Sequence, residues 1–329
     1  MSRRNLDDEV FILGAQDPEM GMIERDILIP LGLNFEYAMQ GGERVTPGNA
    51  YKSENVSRGN EILIECGGPK LEGMLIDHHN PGNPGFSLGP NKFMIASSIG
   101  QLLELVIEGV EYSETKYYDL AKKLQMDTTC HGVAGPKEIY LDSTFKRWEY
   151  PGLTRTYNPC GTNGELRNVV VPEKFVLQAA ADHCLAAAYA RQCPGVEFDK
   201  LRELQIRNIA NGTEKDFDTV RVEVERFKNS FKSRKPISFG RGKVFDFTDI
   251  DLGEGYSLPY LSLKEAGTIS GSAYLVRHRF GENEPQAIML SNATPKMVQF
   301  FLDVFAKEKG LVDTFANPQK SYAGGYLRE

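Results

Sequence analysis

Short apolar runs, each closed by glycine or an acidic residue, alternate with stretches of helical spacing along the first two hundred residues. Val10-Phe11-Ile12-Leu13 ends at Gly14, Glu61-Ile62-Leu63-Ile64 at Glu65-Cys66-Gly67-Gly68, and Met74-Leu75-Ile76 at Asp77. Runs this short and continuously apolar predict strands buried on both faces, the habit of a parallel sheet. Between them, positions 18–29 carry Met22, Ile23 and Ile27 at helical spacing. Ser97-Ser98 opens a helix over 102–108, with a serine placed to cap it. Positions 34–39 and 44–45 flank Gly41-Gly42 and predict a hairpin or two edge strands.

Further helices are predicted over 112–123, 175–190, 198–209 and 217–232. The turn-rich stretch 127–168, which holds Trp148, is expected to be an irregular insertion. Past Arg234-Lys235-Pro236 the pattern changes: strand-like segments at 243–247, 271–277 and 286–290 accompany one helix at 295–309. The expected fold class is α/β, with a mostly parallel, doubly wound sheet over 1–195. A helical connector over 196–235 then leads to a smaller α+β domain over 236–329.

Of the 329 residues, 41% are hydrophobic and 25% charged, the balance of a folded globular chain. A formal net charge of −7 argues against a protein that coats long nucleic acid through a basic surface. The five cysteines, Cys66, Cys130, Cys160, Cys184 and Cys193, form no CxxC pair. Their number and scatter predict reduced thiols in a cytoplasmic setting. No apolar segment follows the charged start, and no run approaches a membrane span, so neither a signal peptide nor a membrane partner is expected. The oligomeric state has no signature in the chain.

Candidate chemistry concentrates at one strand end. Asp77-His78-His79 follows an apolar run and precedes Asn80-Pro81-Gly82-Asn83-Pro84-Gly85, which cannot be helical. Two of the chain's five histidines sit here beside a carboxylate, where open α/β sheets bind ligands. A surface histidine pair is the plainer alternative, and the surrounding sequence decides against it.

Four features in order resemble the DHH phosphoesterase superfamily, which includes RecJ-type nucleases, oligoribonucleases and family II inorganic pyrophosphatases. They are Leu13-Gly14-Ala15-Gln16-Asp17-Pro18-Glu19-Met20-Gly21 after the first strand, Ile64-Glu65 after the next core strand, Ile76-Asp77-His78-His79, and Ala96-Ser97-Ser98-Ile99-Gly100-Gln101-Leu102-Leu103. The resemblance covers roughly the first two hundred residues. It implies catalytic roles for Asp77, His78 and His79. It also implies a centre for one or two Mn²⁺ or Mg²⁺ ions built from Asp17, Glu19, Glu65, Asp77, His78 and Asp182. The first motif departs from the family: its histidine and two aspartates correspond to Ala15, Glu19 and Gly21, with Asp17 nearby in a different register. Asp182 stands beside His183 in an otherwise apolar helix. It either binds metal or pairs with neighbouring side chains.

The C-terminal region bears a weaker likeness to the substrate-binding domain that accompanies such cores. That likeness implies phosphate contacts from Arg277, Arg279, Lys320, Ser321, Gly324 and Gly325, the glycines through their backbone amides. His131 is a candidate general acid or a structural loop histidine. The implied function is metal-dependent hydrolysis of a phosphorylated small molecule, such as a nucleotide, or of a short single-stranded oligonucleotide. The alternative is a catalytically reduced member that binds nucleotide or nucleic acid, or that scaffolds a replication or repair complex.

Overall fold

The structure, a computed structural model, describes residues 6–109, 123–124, 127–130, 147–149, 154–157, 167–279, 285–317 and 321–328. The chain divides into two compact units, Met1–Leu201 and Arg202–Glu329. Among the described residues, no helix is long and apolar enough to cross a membrane.

In the first unit, β1 (Val10–Leu13), β2 (Asn34–Tyr37), β5 (Glu61–Ile64) and β6 (Met74–Ile76) form a parallel sheet in the order β2-β1-β5-β6. β3 (Met39–Gln40) and β4 (Glu43–Arg44) make a separate hairpin. Register pairs Ile12 with Leu63, placing both on one face, and Phe11 with Ile62 and Leu13 with Ile64 on the other. All six are buried, as the unbroken apolar runs require.

Helix α1 (Pro18–Ile23) follows β1 and continues through a π-helical turn (Glu24–Leu28) into α2 (Ile29–Leu31). After β6 come α3 (Phe93–Ala96), α4 (Ser98–Gly109) and, later, α5 (Glu173–Tyr189). α5 packs on α1, α3 and α4, and α4 packs on β6. On the face that carries Ile12 and Leu63, the described cover is not helical. Ala38, Val45, Ala50, Cys66 and Leu71, from the hairpin and loops, fill that role. The stretch expected to be irregular contains β7 (Asp127–Cys130), β8 (Arg147–Glu149), β9 (Thr154–Tyr157) and β10 (Arg167–Val170). They form an antiparallel sheet in the order β7-β10-β9-β8. Their polar composition hides the alternation that marks a half-buried strand.

The unit boundary falls inside α6 (Phe198–Thr213). α7 (Phe217–Ser233), expected as a connector, is integral to the second unit: it packs on α8 (Leu258–Ser270), and Phe227 and Phe231 join that unit's core. The second unit's sheet runs β11 (Ile237–Phe239), β12 (Gly242–Phe247), β13 (Tyr274–His278), β14 (Ala287–Ser291), β16 (Tyr322–Tyr326), β15 (Val312–Asn317). Only the β12–β13 pairing is parallel, so the sheet is mixed. α9 (Pro295–Phe300) covers part of it through Met297 and Val298.

Candidate metal centre

The strand ends bring the acids together through backbone geometry. Gly14, at the end of β1, lies so close to the end of β5 that a Cβ there would meet the Glu65 carbonyl at 2.4 Å. Glu65 itself takes the left-handed conformation, with φ 52°, which a residue with a side chain adopts only against about 1–2 kcal/mol of strain. That turn directs its carboxylate into the interior, where Ser98 Oγ donates to Oε1 at 2.6 Å. Glu19, on the first turn of α1, is buried as well and accepts from the Ile99 amide at 2.9 Å. Ser97 caps α4 by accepting from Gly100 N at 3.1 Å. The start of α4 therefore faces two carboxylates with its amides, its serine and the positive end of its dipole.

The third strand contributes the histidines. Asp77 Oδ1 accepts from the amides of His78 (2.6 Å) and His79 (2.8 Å), and lies 3.0 Å from His79 Nδ1. Its Oδ2 accepts from Tyr51 Oη at 2.8 Å. Gln101 Oε1 accepts from the Asp77 amide (3.2 Å), while its Nε2 donates to the Asp77 carbonyl (3.1 Å). Asp77 thus clamps the turn that carries the two imidazoles, which stack at 4.2 Å between ring centres. Both of its oxygens accept from protein donors. Asp17 is likewise engaged as the N-cap of α1, accepting from Met20 N at 2.8 Å.

Asp182 arrives from α5, its Oδ2 3.1 Å from His78 Nε2. His78 Nδ1 is 3.5 Å, and His79 Nδ1 3.8 Å, from Glu65 Oε1. His183, the neighbour of Asp182, turns Nε2 to the Leu88 carbonyl at 2.9 Å and sets its ring edge-on to His78. Two overlapping sets, Glu65 with His78 and His79, and Glu19 with Glu65 and Asp182, each present ligand atoms within 4.8 Å of one another. Glu65 belongs to both. Buried Glu19 Oε2 and His78 Nδ1 have no hydrogen-bond partner, and Asp182 Oδ2 meets only the His78 ring.

The electrostatics follow from that crowding. Burial, then the charge of Asp182, push Glu19 and Glu65 well above the ordinary carboxylate range. The same causes raise Asp17 to about 6. Asp182 is held at about 2 against the opposing effect of burial, chiefly by hydrogen bonding to His78 and by that ring's charge. Burial alone would raise Asp77, but hydrogen bonds from His79 and Tyr51 outweigh it and keep this acid below its usual value. Among the described residues, no lysine or arginine pairs with Glu19, Glu65, Asp77 or Asp182. Buried acids of this density are stable only with protons or a cation between them. The mixed nitrogen and oxygen donors, with Glu19 Oε2 unpartnered among them, fit a divalent cation.

Sequence reasoning missed four contributors: Tyr51, Ser98, Gln101 and His183. Ser98 and Gln101 lie in a stretch already singled out as a helix start, and His183 adjoins Asp182. Tyr51 lies in a segment without periodicity and has no signature.

The expected phosphate wall of the second unit is different in kind. Gly324 and Gly325 are not a loop of free amides. They sit inside β16, between β14 and β15, with their backbone turned into the sheet ladders. Packing explains them: a Cβ on Gly324 would meet the Phe315 ring at 2.3 Å, and one on Gly325 would meet Leu311 and Thr314 at 3.0 Å. Ser321 occupies the turn before β16, and its carbonyl accepts from Ala293 N. Arg279 pairs with Glu254 at 3.7 Å, while Arg277 is exposed on β13. Lys320 and His131 lie outside the described residues.

No model of a known protein family matches this chain, and no curated protein matches it either.

Proposed function

We propose that the first unit is a metal-dependent phosphoesterase acting on a nucleotide, a short oligonucleotide or another phosphate ester, with a DHH-type core. One observation carries the reading: buried Glu19 and Glu65 and half-buried Asp182 converge with His78 and His79, uncompensated by basic side chains, at the carboxyl ends of parallel strands. Glu19, Glu65, Asp182 and His78 are the residues that would hold Mn²⁺ or Mg²⁺, with His79 beside them. A divalent cation there supplies positive charge to a phosphoryl group and acidifies the attacking water.

The chain's own groups do the rest. Asp77, held ionised, fixes the Nδ1 proton of His79, leaving Nε2 to take or give a proton. Tyr51 and Gln101 fix Asp77 in turn. The net charge of −7 favours a small or short substrate over long duplex DNA.

A second reading, a binding protein with reduced catalysis, draws on Ala15. It is buried at the strand end where the resembled family carries a histidine, and it supplies no ligand. Metal analysis of the purified protein, beside hydrolysis of bis-p-nitrophenyl phosphate with Mn²⁺, separates the two. Metal uptake with turnover that His78→Ala abolishes supports the hydrolase. Uptake without turnover supports the binding protein, and absence of uptake removes both.

A further inference from the structure

The end of α5 brings together two cysteines that are separated in sequence. Ala190 caps the helix, and Arg191 takes the left-handed conformation at φ 60°. The Arg191 amide donates to the Ala188 carbonyl and the Gln192 amide to that of Ala187. This is a Schellman reversal, which folds the chain back along the helix it ends. It delivers Cys193 to Cys184, with the sulfurs 2.6 Å apart. Cys184 is also the one residue of α5 with non-helical torsions (φ −150°, ψ 40°), so the helix breaks where the second sulfur arrives. Cys193 is 3% exposed, whereas Cys184 is partly open to solvent.

We propose that Cys184 and Cys193 are a covalent modification site, closed to a disulfide by exchange with a low-molecular-weight disulfide such as oxidised glutathione. The Cys184 sulfur, the accessible one, attacks glutathione disulfide. A Cys184–glutathione bond forms, the glutathione S–S bond breaks, and one glutathione thiol leaves. The Cys193 sulfur then attacks Cys184, forming the internal bond and releasing the second thiol. The two cysteines lose two electrons and two protons, and glutathione disulfide gains them. The bond ties the helix reversal to the residue two positions beyond Asp182. Nothing in this step depends on the phosphoesterase reading.

The test uses the full chain, incubated with oxidised or reduced glutathione, denatured at once in excess iodoacetamide, then digested and weighed. After oxidised glutathione, the Cys184 and Cys193 peptides are expected to be joined, two hydrogens lighter than their unlinked sum, with no alkylation at either residue. Cys193→Ser should stop at a glutathione adduct on Cys184. In Cys184→Ser, Cys193 should stay unmodified and alkylate fully. The oxidised wild type should melt at a higher temperature than the reduced. Carbamidomethyl on both cysteines of the oxidised wild type, or a persistent adduct on Cys184 there, overturns the proposal. The wild-type mass stands on its own should either variant fail to fold.

Discussion

His78 Nε2 lies 3.1 Å from Asp182 Oδ2, so the turn after β6 and helix α5 meet through an imidazole and a carboxylate. The contact connects parts of the chain far apart in sequence at the point where the acids crowd. On the metal-centre reading, His78→Ala removes a ligand from both the histidine set and this contact. Wild-type protein in Mn²⁺ at about 100 times its Kd should gain roughly 2.7 kcal/mol of stability. The variant should lose most of that gain, and its metal-free stability should also fall, because it strips Asp182 of the ring that keeps it ionised. An undiminished gain from Mn²⁺ in the variant would instead make His78 a structural residue. Calorimetry with and without Mn²⁺ reads both.

Acidity offers a second check. Glu19 and Glu65 have folded-state pKa values above those of the unfolded chain, and Asp17 rises from 3.8 to about 6. For groups raised in this way, the stability they contribute is present below the unfolded value and is lost as pH climbs through the folded value. Metal-free protein should therefore weaken as pH rises from about 4 past 6. Asp77 and Asp182, shifted down, lose their contribution only on strong acidification. Mn²⁺ should flatten the neutral part of the profile. A metal-free melting point that climbs steadily from pH 5 to 8 contradicts the buried-acid account.

Glu65→Asn tests the strained turn. Asparagine tolerates the left-handed conformation better than glutamate and carries no charge to bury. The metal-free variant should be more stable than wild type by about 1 kcal/mol, with metal uptake lost. Urea unfolding measures the first and metal analysis the second. A variant that keeps full metal content would remove Glu65 from both ligand sets.

Tyr51→Phe removes only the hydroxyl that holds Asp77 Oδ2. Outer partners of this kind typically account for about 10–100-fold in metal affinity. Isothermal titration with Mn²⁺ should find a drop in that range, whereas unchanged affinity means that the clamp holds without Tyr51.

Gly324→Ala forces a Cβ against the Phe315 ring. Overpacking of this sort costs about 1–3 kcal/mol. Thermal unfolding should show that loss, and Gly324→Ala combined with Phe315→Leu should recover part of it. A neutral single variant would restore the possibility that the glycines serve a ligand.

The parallel strands were legible because buried strands need continuous apolar runs, and Val10–Leu13 and Glu61–Ile64 supply them. Motif order pointed to Glu19, Glu65 and His78, and the open assignment of Asp182 joins them, whereas His79 was expected as a catalytic residue only. Orientation was not legible. Asp77 reads as a ligand in sequence, and its acceptance of the two amides that follow it is a local hydrogen-bond choice invisible in residue type. Gly324 and Gly325 read as an anion loop because glycine permits both open turns and close packing, and only Phe315 shows which applies. The sheet of β7 to β10 escaped notice because its strands lack an apolar face in sequence.

The Asp77 clamp has a consequence for which ions the turn admits. Its carboxylate grips two successive amides and one ring nitrogen, so His78 and His79 are already aligned before any ion arrives. Little loop ordering then opposes binding, and little adjustment is available afterwards. On the metal-centre reading, a turn aligned in this way would favour small ions that accept short, regular bonds over Ca²⁺, which needs longer bonds and more of them.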